Sequence, residues 1–144
     1  MFHPFTLMAL LAIAVSVPAY AQEREDPVWH QDAATAWKLA QKKQRPFVLY
    51  IGTANCPYCR MMERTLQDRE VLREMRRSFI GAAIDAEDEP RLVRMLRVEG
   101  FPSTFVVNPD GQVESAIVGY VAPDRLRQAL SEIVESGNAR QIGD

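Results

Sequence analysis

Hydrophobic positions along this chain change period several times, and each change marks an element. Ala33, Ala36, Trp37 and Ala40 recur at helical spacing, which predicts an amphipathic helix from Asp32 to Gln44. Lys42, Lys43 and Arg45 gather at the end where a helix favours positive charge, and Pro46 stops it. Phe47 to Ile51 is a continuous apolar run of strand length, as expected of a strand buried on both faces. Met62 and Leu66 then resume a helical face. Asp68 breaks it and caps a second short helix with Val71, Leu72 and Met75 on its inner side. Phe79 to Ile84 predicts the next strand, ending at Asp85, and Leu92, Val93 and Leu96 predict a helix over Pro90 to Arg97. Thr104 to Val107 and Gln112 to Val118 predict strands flanking the hairpin turn Asn108-Pro109-Asp110-Gly111. Pro123 and Asp124 open a last helix, with Leu126, Leu130, Ile133 and Val134 on its apolar face. An alternating part followed by an antiparallel pair implies an α/β domain: a mixed central sheet with helices on both faces.

Composition bounds this picture without changing it. At 144 residues and 47% hydrophobic content there is one domain's worth of packed core. The formal net charge of −2 is spread over mixed signs, so no nucleic-acid partner is expected. Arg73, Arg76, Arg77, Arg91, Arg94 and Arg97 are interrupted by acidic residues and read as solvated helix faces.

The first residues read differently. Phe5 to Val17 is apolar apart from Thr6 and Ser16, and Ala19-Tyr20-Ala21 offers a small-x-small cleavage site before Gln22. An export signal is therefore expected over residues 1–21, although no Lys or Arg precedes the apolar run. That run is short for a membrane span, and an uncleaved anchor is the alternative. Residues 22–27 form a polar lead-in, 28–136 the domain, and 137–144 a flexible tail. The expected compartment is the periplasm or the exterior, which is oxidising for thiols.

That compartment matters because of Cys56-Pro57-Tyr58-Cys59, which follows the Phe47–Ile51 run and contains both cysteines of the chain. Proline fits the first turn of a helix, where its missing N–H is not needed. The free N–H groups and dipole of that turn favour a thiolate at Cys56, the candidate nucleophile, and a spacer of two lets Cys59 resolve a mixed disulfide. Two other uses of this spacing are an inert disulfide and a zinc site. A complete one-chain Cys/His zinc site is out of reach, since His30 is the single histidine after the leader; a site shared between chains stays open. Neither metal nor other cofactor is expected. Met61 and Met62 read as contact surface and core rather than as copper ligands.

Three motifs in order resemble the thioredoxin superfamily: the CxxC after a strand, Gly100-Phe101-Pro102-Ser103-Thr104 before the hairpin, and Val118-Gly119 before the last helix. The resemblance covers about residues 28 to 136. It implies a thioredoxin-like fold, a redox-active Cys56–Cys59 disulfide, and a cis-proline at Pro102 facing it. It also implies substrate binding through Pro57, Tyr58 and the Phe101 backbone. Glu63, one helical turn after Cys59, resembles a glutamate in the periplasmic thioredoxin-like domain of the membrane thiol–disulfide transporter family. It is the candidate proton acceptor for Cys59. The chain departs from the family at two positions. Tyr50 stands where thioredoxins carry a buried aspartate, and Asn55 replaces the tryptophan before the first cysteine. Pro57-Tyr58 resembles glutaredoxins and implies an intermediate redox potential rather than glutathione use. The expected function is an exported protein-disulfide oxidoreductase, reductase or electron relay before oxidase. Its substrates would be exported proteins with cysteines, its electrons would come from a membrane partner, and it would act as a monomer. The competing class is a thioredoxin-fold metal-binding or adaptor protein without redox turnover.

Overall fold

The computed structural model describes residues 26–142, with side chains up to Gly137. The leader and most of the lead-in read from the sequence lie outside the described residues. The elements run β1 (Trp29–His30), α1 (Ala33–Lys43), β2 (Phe47–Gly52), α2 (Pro57–Leu66), α3 (Arg69–Ser78), β3 (Ile80–Asp85), α4 (Pro90–Met95), β4 (Ser103–Val107), β5 (Val113–Val118) and α5 (Pro123–Ile142). One five-stranded sheet has the order β1-β3-β2-β4-β5. The β1–β3 and β2–β3 pairs are parallel; β2–β4 and β4–β5 are antiparallel. This is the mixed α/β sheet expected. Among the described residues no helix is long and apolar enough to cross a membrane.

Every residue of β2 is buried, because it lies mid-sheet with helices over both faces. Alternation then divides its side chains. Phe47, Leu49 and Ile51 pack with Ala33, Ala36 and Ala40 of α1, backed by Leu92, Val93 and Leu96 at α4. Val48 and Tyr50 pack on the opposite side with Met62 and Leu66 of α2, Val71 and Met75 of α3, and Leu126 and Leu130 of α5.

Local chemistry sets the boundaries. The Asp32 carboxylate accepts the Thr35 N–H at 2.6 Å and caps α1, and Gln44 ends the helix in the left-handed region at φ 51°. Asp68 caps α3 by accepting from the N–H groups of Glu70 and Val71, so the break read at this residue is where α2 gives way to α3. In the hairpin the Asn108 side chain accepts from Asp110 and Gln112, while Gly111 takes φ 90°, which few other residues adopt. Two features differ from the pattern-based reading. β1 is an additional strand, tied to the far end of α2 by a bond from Trp29 Nε1 to the Leu66 carbonyl at 3.0 Å. α4 stops at Met95, short of Arg97, whose φ of 52° turns the chain away. α5 runs on to Ile142 through Gly137.

Candidate active site

β2 ends at Gly52, and a short loop delivers Cys56 to the N-cap of α2. Cys56 has extended backbone, φ −122° and ψ 107°, while Pro57 occupies the first turn. The Cys56 Sγ accepts the Cys59 N–H at 3.0 Å, the position a serine or aspartate oxygen takes in an ordinary cap. Cys56 and Cys59 are joined as a disulfide, with Cα atoms 5.1 Å apart. The two sulfurs are not equivalent. Cys56 is half-buried at the helix start, whereas Cys59 is fully buried one turn in. Met62 is fully buried in the core below, and Met61 lies at the surface.

The second motif arrives by way of β4. Ser103 pairs with Ile51, which places Pro102 across from Gly52 at the end of the sheet where the dithiol loop begins. The Phe101–Pro102 bond is cis, and Pro102 is buried. Its carbonyl accepts the Gly119 N–H at 2.7 Å, and Ser103 Oγ donates to the Gly100 carbonyl at 2.6 Å, so the Gly100–Thr104 and Val118–Gly119 motifs are bonded together. Phe101 and Val118 leave apolar surface exposed at this end of the sheet, and Tyr58 leaves more beside the cysteines. Among the described residues no group of three or more His, Cys, Asp or Glu side chains is placed to hold a metal ion.

Glu63 is exposed on α2 and lines a pocket of about 460 Å³ together with Tyr50, Gly52, Arg60 and Asp85. Tyr50 is buried, and its hydroxyl donates to the Cys59 carbonyl at 3.3 Å. Burial above all keeps the phenol protonated far above its usual range, and the charges of Glu63 and Asp85 act in the same direction. The position read as lacking a carboxylate is thus filled by a donor that touches the second cysteine's backbone. Directly opposite Tyr50 across the β2–β4 ladder stands Thr104, buried, with an Oγ1 that makes no protein hydrogen bond. Sequence reasoning marked Tyr50 as a departure but did not foresee its contact. Gly52 carried no signal of its own, and Thr104 stood in the Gly100–Thr104 motif without an assigned role.

Comparison with known proteins agrees with this geometry. A family model described as a thioredoxin-like domain matches residues 33–133. Over 75 residues, 51% of this chain, it is 31% identical to human spermatogenesis-associated protein 20, and the match covers 10% of that protein. The chain thus spans about a tenth of the length of that curated relative. Among solved structures it resembles a thioredoxin from Thermus thermophilus, with 25% identity and TM-score 0.69, covering 78% of this chain and 91% of that one. The DsbD C-terminal domain of Neisseria meningitidis in its oxidised form is also similar, with 25% identity and TM-score 0.61 over 72% of this chain and 97% of that one.

Proposed function

The chain belongs to the thioredoxin-like domain family, and from that premise we propose that it is an exported thiol–disulfide oxidoreductase acting on cysteine-containing exported proteins. The observation that carries the reading is the asymmetry of the disulfide: one sulfur at a helix N-cap with partial access, the other sealed in the core. The reduced Cys56 sulfur, accepting a backbone N–H at the positive end of α2, favours the thiolate and attacks a substrate disulfide. A Cys56–substrate mixed disulfide forms and the first substrate thiolate leaves. Cys59 then gives up its proton, with Glu63 as acceptor, and bonds to the Cys56 sulfur, and the second substrate thiolate departs and is protonated. The substrate disulfide has gained two electrons and the dithiol has lost them. Pro57, Tyr58 and Phe101 form the surface against which the substrate segment lies, with the buried Pro102 behind them.

The direction favoured is reduction or electron relay, with a membrane protein returning electrons to the disulfide. The likeness to the DsbD C-terminal domain and the glutamate one turn after the second cysteine support it. The test is the reduction potential of the Cys56–Cys59 pair together with insulin reduction in the presence of a small-molecule reductant. A potential between about −270 and −180 mV and insulin reduction that depends on Cys56 are expected. A potential near about −120 mV would make the protein an oxidant, and insulin reduction no faster than that of Cys56→Ser would remove the enzymatic reading altogether.

A further inference from the structure

Tyr50 is a buried polar side chain bonded to the resolving cysteine's backbone, and its position is held from two sides. Its hydroxyl donates to the Cys59 carbonyl at 3.3 Å. Gly52, two residues on and on the same face of β2, supplies the space the phenol tip needs. A Cβ at Gly52 would lie 2.5 Å from the Tyr50 Oη and 2.9 Å from its Cζ, and side chains do not approach that closely. Beyond the hydroxyl lies the pocket whose charged groups are Arg60 and Glu63 from α2 and Asp85 from the end of β3. Because the phenol keeps its proton, it acts as a donor and not as a base.

We propose that Tyr50 is a positioning residue for the resolving step: its hydroxyl, fixed by the Cys59 carbonyl and the gap at Gly52, holds the Glu63 carboxylate in reach of the Cys59 thiol. The inference rests on the dithiol reading above and explains how an exposed glutamate serves a fully buried sulfur. A free glutamate samples many rotamers, and a donor at its base selects among them. The phenol hydroxyl bonds the Cys59 carbonyl, and Tyr50 and Glu63 line the same pocket, so one side chain links the resolving cysteine's backbone to the space its base occupies. In the step itself the Cys59 S–H bond breaks and Glu63 gains the proton. The Cys59 sulfur bonds to the Cys56 sulfur, the bond from Cys56 to the substrate sulfur breaks, and the leaving thiolate is protonated from water.

The two half-reactions separate in a stopped-flow experiment. The reduced full chain is mixed with one equivalent of 5,5′-dithiobis(2-nitrobenzoate) from pH 5 to 9. The first release of thionitrobenzoate reports attack by Cys56; the second, which is intramolecular, reports resolution by Cys59. Tyr50→Phe keeps the ring and removes the hydroxyl. It is expected to leave the first release within about twofold and slow the second about tenfold or more, because misplacing a catalytic group by about an ångström costs on that order. The pH profile of the second release should change as well. Gly52→Ala, which displaces the hydroxyl with Tyr50 intact, should reproduce both effects and serves alone if Tyr50→Phe fails to fold. Added to Glu63→Gln, Tyr50→Phe should slow resolution no further. A second release of wild-type rate and pH profile in Tyr50→Phe, with Glu63→Gln slow, overturns the proposal and leaves the dithiol reading standing. Wild-type behaviour of Glu63→Gln removes the base and the proposal together. Absence of a second release in the unaltered protein removes the dithiol reading itself.

Discussion

The two faces of the sheet bury the same strand in different ways. Toward α1 and α4, β2 presents Phe47, Leu49 and Ile51 to three alanines, and the buried members of that cluster are hydrocarbon side chains throughout. Toward α2, α3 and α5 it presents Val48 and then a phenol, beside the unpartnered Thr104 hydroxyl and beneath the helix that starts at Cys56. Small alanines let α1 lie close to the sheet, which favours dense packing and stability. The other face is packed as fully but places a phenol against the Cys59 backbone and an unpartnered hydroxyl beside it. One side of β2 is packed with hydrocarbon alone, and the other combines a hydrocarbon core with the polar groups beside the cysteines.

The largest effect belongs to the chemical face. Cys59→Ser should lose turnover and accumulate mixed disulfides through Cys56, because the first covalent complex then has no internal exit. Cys56→Ser should trap nothing. Non-reducing gels of each variant exposed to exported proteins give the comparison; equal trapping by both would reverse the assigned order of attack. Next comes the hydrocarbon face. Ile51 is fully buried there, and Ile51→Ala should cost about 2–5 kcal/mol in denaturant unfolding. Below its melting range the variant should still resolve mixed disulfides at the normal rate. If resolution slows in step with lost stability, the division between the faces is false.

The smallest effect lies at the rim of the hydrocarbon face. Hydrogen bonds from Thr35 hold the Asp32 carboxyl below its usual value of 3.8, the side chain contributing first and the backbone second. A folded-state value below the unfolded one stabilises above the unfolded value and is lost as pH falls through the folded one. Asp32→Asn keeps a capping side chain but loses the charge. Its melting temperature should sit slightly below that of the unaltered protein at neutral pH, and the gap should close as pH drops below about 3.8. A gap that persists in stronger acid would assign the effect to cap geometry rather than to charge.

Much of the fold was legible because its elements announce themselves locally. The apolar run at Phe47–Ile51, the break at Asp68 and the Asn108–Gly111 turn each fix a boundary from neighbouring residues alone. β1 was not legible, since two residues have no period, and Trp29 and His30 become a strand only by pairing with Gly81 and Ala82. In the site, the cysteine pair and Pro102 were visible as motifs. The contact of Tyr50 was not, because a bond between side chain and backbone nine residues apart depends on how α2 settles on the sheet. Gly52 gave no warning either; its meaning lies in the atom that fills the space it leaves.

β2 is bonded along its length to β3 on one side and β4 on the other, and it is buried on both faces. A strand in that position has no low-energy opening of its own, so its amides exchange with solvent only when the whole domain unfolds. The cysteine loop and the Pro102 turn are both anchored at its last residues. The redox centre is therefore rooted in that strand at both motifs, and heat should remove its activity and its structure in a single transition.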